Sequence, residues 1–127
     1  MSIVLKTENL CKDFGPIRAV DNLSIELNQG STTALLGGNG AGKTTTLSML
    51  LGLLLPSVGK ISIFGYDFIK DRYPALRRMN FSSPYVDLPQ RLTVRENLTV
   101  YAKLYGLKDI KNAVLEMIET FRLEEFA

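Results

Sequence analysis

The chain has 127 residues, and its 15 Lys plus Arg against 13 Asp plus Glu give a formal net charge of +2, with no histidine contributing. Such a balance supplies little drive toward nucleic acid or anionic lipid, while 46% hydrophobic and 22% charged residues exclude wholesale disorder and a fibrous fold. The absence of histidine excludes His-based acid–base catalysis and His-ligated metal within these residues. A single cysteine, Cys11, cannot form an internal disulfide, and Lys6 and Glu8 interrupt the apolar run that a secretion signal requires. A cytosolic, reducing compartment is the expectation. The longest apolar stretch, 49–55, is broken by Gly52 and is far shorter than the ~20 residues that span a bilayer.

In chain order, residues 1–36 read as strands and turns. Residues 3–5 form a short candidate strand, and 23–28 alternate apolar and polar residues before the turn pair Gln29-Gly30. Residues 31–36 end in Ala34, Leu35 and Leu36, the pattern of a strand buried on both faces. A glycine cluster follows at once. From 43 to 55 helix formers predominate, with Leu47, Leu50, Leu51 and Leu54 in helical spacing, until Pro56 prevents continuation. Ile61, Ser62 and Ile63 then alternate between Gly59 and Gly65 as a further strand. The stretch 67–91, with Pro74, Pro84 and Pro89, is the least regular.

Beyond it, Thr93 and Glu96 have the spacing of a capping box and introduce the stripe Val94, Leu98, Tyr101, Ala102 and Tyr105, which Gly106 stops. Asp109 caps a second expected helix with the stripe Ile110, Val114, Met117, Ile118 and Phe121. Two amphipathic helices joined by a short turn should pack as a helical hairpin.

The glycine cluster carries the chemistry. Gly37, Gly38, Asn39, Gly40, Ala41, Gly42, Lys43 and Thr44 fit the phosphate-loop pattern G-x-x-x-x-G-K-[ST], placed between an expected strand and an expected helix. Backbone N–H groups converge on phosphate oxygens only where no Cβ obstructs them or where φ can be positive, hence the glycines. The following helix N-terminus adds unpaired donors and the positive end of its dipole. Lys43 would set a point charge against the β and γ phosphates, Thr44 would ligate Mg²⁺, and Thr45 adds a further hydroxyl.

The segments LCKDFG, GGNGAGKTTTLSMLLGLL, SVGKISIFGYDF and RLTVRENLTVYAKLYGL together resemble the ATP-binding cassette of ABC transporters over nearly the whole chain. The resemblance implies an α/β fold: an incomplete P-loop NTPase (RecA-like) core with an antiparallel β-subdomain, within residues 1–91, and the start of an α-helical subdomain, 92–127. It implies ATP and Mg²⁺ as ligands, with Gly37 to Thr45 as the Walker A loop and Gly38 at a variable position. Phe14, in KDFG, stands where the family stacks an aromatic ring on adenine, for which Phe supplies a π face. The family's Q-loop glutamine would fall at Ser83 or Pro84, a departure from the pattern; Gln90 substitutes only if that loop is rearranged.

The resemblance also implies transmembrane subunits and a second ATPase subunit as partners, at the cytoplasmic face of a membrane, with no nucleic acid. The family's signature sequence, Walker B carboxylate, catalytic glutamate and switch histidine do not occur within the 127 residues. This stretch alone is therefore expected to bind nucleotide weakly and hydrolyse essentially none, and to be marginally stable or to associate. Alternatives are a nucleotide kinase or GTPase, a catalytically silent nucleotide-binding module, and an ABC ATPase outside transport.

Overall fold

The computed structural model describes residues 2–83, 85 and 87–127. They form two compact units, Met1–Phe81 and Ser82–Ala127.

The first unit is organised around β1 (Ile3–Phe14), a strand of 12 residues, four times the length that apolar patterning at 3–5 suggests. It lies in an antiparallel sheet, with Glu8 and Asn9 exposed and Thr7 buried. β1 pairs with β3 (Glu26–Asn28) through Ile3 to Lys6, with β2 (Ile17–Leu23) through Leu10 to Phe14, and with β4 (Val58–Ile63) through Leu5 to Cys11. β5 (Tyr66–Asp67) closes the order β2-β1-β4-β5. A two-residue loop of Phe64 and Gly65, both at positive φ, connects β4 to β5, as a tight hairpin of this hand requires.

The alternation at 23–28 is not one strand. Thr7, 1% exposed, takes over the ladder at the break: its hydroxyl donates to the Leu23 carbonyl at 2.9 Å and accepts from the Ile25 N–H at 3.1 Å. Its backbone N–H donates to the Ile25 carbonyl. A buried side chain thus satisfies the groups that a continuous strand would have paired.

Where β1 changes partners, the register with β4 shifts between Glu8 and Cys11. Asn9 lies there at φ 47°, and Gly59 faces it at φ 101°. Such an inserted residue bends the strand. A Cβ on Gly59 would stand 2.5 Å from the Asn9 carbonyl oxygen and 2.7 Å from both the Glu8 oxygen and the Leu10 Cα. Only glycine allows the two backbones to approach this closely.

Two expectations from sequence fail next. Residues 31–36 form no strand and are exposed, Leu36 to 87%. A strand exists only where a neighbour supplies ladder partners, and none of the five described strands pairs with this stretch. The helix expected over 43–55 is shorter: α1 (Lys43–Leu50) ends well before Pro56. Gly52, at φ 71°, receives the turn, its N–H donating to the Met49 carbonyl and that of Leu53 to the Ser48 carbonyl. This is the Schellman arrangement that a glycine just past the helix end favours. Of the four leucines in the stripe, Leu50 is buried, Leu54 packs against the core edge and Leu47 is exposed. Met49 and Leu50 join Leu10, Val20, Ile61, Ile63 and Phe68 in one core. A single turn, α2 (Tyr73–Leu76), adds the fully buried Ala75.

In the second unit, α3 (Val94–Leu104) begins at the expected capping box. Glu96 N–H donates to the Thr93 hydroxyl at 3.2 Å, and Thr93 N–H to the Glu96 carboxylate at 2.8 Å. Gly106 ends it at φ 68°. Asp109 caps α4 (Ile110–Thr120) by accepting the Asn112 N–H. The helices pack through Ala102, Val114 and Ile118, flanked by Leu98, Ile110 and Leu123. Tyr101, Tyr105, Met117 and Phe121 stay exposed, so each buried stripe is narrower than the sequence pattern. A short 3₁₀ turn, Glu124–Phe126, follows. Among the described residues no helix is long and apolar enough to cross a membrane.

Replacing Gly59 by Ala should destabilise the first unit by about 3 kcal/mol, the sum of strain at positive φ and three backbone clashes. A urea denaturation midpoint equal to that of the unaltered protein would contradict the packing described.

Candidate nucleotide-binding site

The loop 37–42 turns the chain from the exposed stretch 31–36 into α1. Gly40 and Gly42 both lie at positive φ, 81° and 82°. A Cβ on Gly42 would also collide with the Ala19 carbonyl oxygen of β2. Gly42 is thus fixed twice, by its own backbone conformation and by the strand against which the loop rests. The Ala41 N–H donates to the Gly38 carbonyl at 3.2 Å, closing the turn, while Asn39 stands exposed at its tip.

Lys43 folds back over this turn. Its Nζ donates to the Gly37 carbonyl at 2.6 Å and to the Gly38 carbonyl at 2.7 Å. An ammonium has three N–H donors, so two brace the loop and one remains for an incoming anion. Gly42, the N-cap of α1, offers no side chain, and the first intrahelical bond runs from Thr46 N–H to the Gly42 carbonyl at 2.8 Å. The N–H groups ahead of it have no intrahelical acceptor and sit at the positive end of the helix. Thr44 is exposed, Thr45 half-buried, and among the described residues neither hydroxyl has a hydrogen-bond partner.

That donor set fits a divalent cation of the Mg²⁺ type. Such an ion takes one or two protein oxygens and completes its shell from phosphates and water, and the Thr44 hydroxyl stands at the N-terminal, positive end of α1 with no partner among the described residues. Among the described residues, no cluster of His, Cys, Asp and Glu offers an alternative metal cage. A depression of about 330 Å³ adjoins the loop, lined by Arg18, Asp21, Leu35, Lys43 and Thr46 among others.

Phe14 closes β1 opposite Ile17, at the tip of the β1–β2 hairpin. Both side chains are largely exposed, at 49% and 67%. The hairpin is braced by Arg18, a residue that sequence patterning does not single out. Its Nε and Nη2 donate to the two carboxylate oxygens of Asp13 at 2.8 and 3.3 Å, and its Nη1 donates to Asp21 at 3.1 Å. This two-pronged bond holds the Asp13 carboxyl below the usual aspartate range, and the Arg18 charge on either side is reinforced in turn. Gln90 lies exposed in the turn before α3, and the Ser83 hydroxyl accepts the Tyr85 N–H. Pro84 lies outside the described residues.

Comparison with known proteins decides the family. The ABC transporter family model matches residues 20–127. The chain belongs to the ABC transporter family. It is 44% identical over 124 residues to the bacitracin transport ATP-binding protein of Bacillus licheniformis, covering 98% of this chain and 40% of that one. The linearmycin resistance ATP-binding protein of Bacillus subtilis is 36% identical over 126 residues, with 98% and 40% covered. The solved structure of an ATP-binding subunit of an ABC transporter superposes with a TM-score of 0.82 at 29% identity, across 97% of this chain and 52% of that one. The chain thus spans about two-fifths of each of these two curated relatives, and its fold is a partial ABC-type P-loop NTPase domain with an antiparallel sheet.

Because the folded Asp13 carboxyl titrates below its unfolded counterpart, its contribution to stability is complete above the ordinary aspartate pKa. It is lost as pH falls through the depressed folded value. Arg18→Ala should return the Asp13 carboxyl to the ordinary range in an NMR titration; an unmoved titration curve would remove Arg18 as the cause.

Proposed function

We propose that the chain is the ATP-binding portion of an ABC transporter ATPase that powers movement of cargo across a membrane. In this reading residues Gly37, Gly38, Asn39, Gly40, Ala41, Gly42, Lys43, Thr44 and Thr45 cradle the polyphosphate of ATP, Thr44 contributes a ligand to Mg²⁺, and Phe14 stacks on adenine. One observation carries it: a glycine turn that opens an uncapped helix and keeps a lysine ammonium with one donor unspent. Backbone donors and an ammonium converging on one point suit a polyanion better than any neutral ligand.

Bound magnesium neutralises phosphate charge and orients the phosphoryl group. These residues hold the phosphates in place, and hydrolysis belongs to the activity of the whole protein. Transmembrane subunits and a second ATPase subunit are the partners this reading requires, at the cytoplasmic face of the membrane. The names of two relatives, one for bacitracin transport and one for linearmycin resistance, support a cargo of antibiotic type. The net charge of +2 gives no support to a role on nucleic acid.

Replacing Lys43 by Ala removes a charged donor whose hydrogen bonds stay within the loop. Affinity for Mg·ATP should fall about tenfold to a hundredfold, the worth of a charge-assisted hydrogen bond, while the thermal midpoint changes little. An equilibrium titration showing unaltered affinity would overturn the assignment of the loop.

A further inference from the structure

Phe14 does not stand alone at the hairpin tip. The Lys12 ammonium lies 5.2 Å from the centroid of its ring, within the range over which a cation is drawn to an aromatic face. The same Nζ donates to the Leu55 carbonyl at 2.9 Å. That carbonyl is itself held in place. Leu54 packs against the sheet core, the Ser57 N–H donates to the Cys11 carbonyl at 2.9 Å, and the Asp13 N–H donates to the Ser57 hydroxyl at 3.0 Å. Three hydrogen bonds therefore tie the segment 55–57, which follows α1, to the end of β1 that carries Phe14.

An exposed Phe side chain has several staggered rotamers open to it, and a stacking platform needs one. An anchored cation at the ring favours the rotamer that brings the π face to it. It also draws on the negative quadrupole of the ring, which otherwise opposes a face-on approach by a second π system. We propose that Lys12 is a positioning residue for Phe14: pinned to Leu55, it covers one face of the ring so that the opposite face is presented to the nucleotide base. This rests on the reading of Phe14 as the base platform given above.

The test compares two probes on the intact protein by equilibrium titration: Mg·ATP, and Mg·tripolyphosphate, which offers phosphates without a base. Lys12→Met should weaken ATP about two- to fivefold and leave tripolyphosphate unchanged. Lys12→Arg, which retains a cation for the ring, should bind ATP as the unaltered protein does. In a Phe14→Ala background, Lys12→Met should have no further effect. If the Met variant does not fold, Lys12→Gln serves the same comparison, since its amide keeps a donor but no charge. Equal weakening of both probes, a Lys12 effect that persists undiminished without the ring, or unchanged ATP affinity on loss of Lys12 while Phe14→Ala weakens ATP, would each overturn the proposal and leave the platform standing. If Phe14→Ala itself leaves ATP binding intact, the platform reading fails and the role of Lys12 falls with it.

Discussion

The first unit depends on one backbone crossing, where β4 lies against the bulge of β1 and Gly59 has no side chain to hold them apart. β1 serves three partner strands, which a flat strand of its length does poorly; the inserted Asn9 bends it so that its two halves face different neighbours. The cost is a non-glycine residue in the left-handed region, where asparagine is the side chain that tolerates it best. The same bend sets the direction of the Phe14 end of β1 relative to the sheet. A local irregularity thereby fixes where the hairpin tip stands.

The glycine loop depends on that hairpin in turn. Gly42 lies so close to the Ala19 carbonyl of β2 that the loop can be seated only with β2 in place. Arg18, the residue next to Ala19, ties β2 to Asp13 of β1 and pairs within β2 with Asp21. These ion pairs are solvent-exposed, so their worth lies in geometry more than in stability. A planar guanidinium gripping both oxygens of one carboxylate specifies an orientation that a lysine ammonium does not. The strand that seats the proposed phosphate loop and the strand end that carries the proposed base platform are thus locked to each other.

The sequence declares whatever is decided locally. The glycine loop, the Thr93–Glu96 capping box, the Asp109 cap and the Gly106 stop each depend on a few consecutive residues, and the structure has all of them. The misreadings share a different cause. Residues 31–36 have the composition of a buried strand, yet a strand is made by its ladder partners, and none of the described strands pairs with them. β1 extends far past its apolar start because polar residues such as Lys6 and Glu8 pair across the ladder and form ion pairs on its surface. Gly52 breaks the apolar run and Pro56 follows it as an apparent stop, but a glycine that accepts positive φ ends a helix as effectively as a proline that lacks an N–H. Arg18 belongs to no motif and Lys12 stands only as the first residue of KDFG with no role marked by it, since their roles arise from a hairpin register and from a carbonyl 43 residues away in sequence.

That distant carbonyl has a consequence for how a nucleotide would be held. α1 begins at Lys43, in the proposed phosphate cradle, and the chain leaving it is fastened within a few residues to Cys11, Lys12 and Asp13. The core beneath, Met49 and Leu50 against Leu10 and Val20, joins the same elements by apolar packing. The proposed phosphate and base subsites would therefore be two ends of one packed body, not two loops that must find each other. Ordering cost is met when the unit folds, and only the ligand's own freedom remains to be lost on binding. A substitution that loosened the 55–57 tether would return part of that cost to the binding step, weakening a ligand that spans both ends while sparing one that occupies the loop alone.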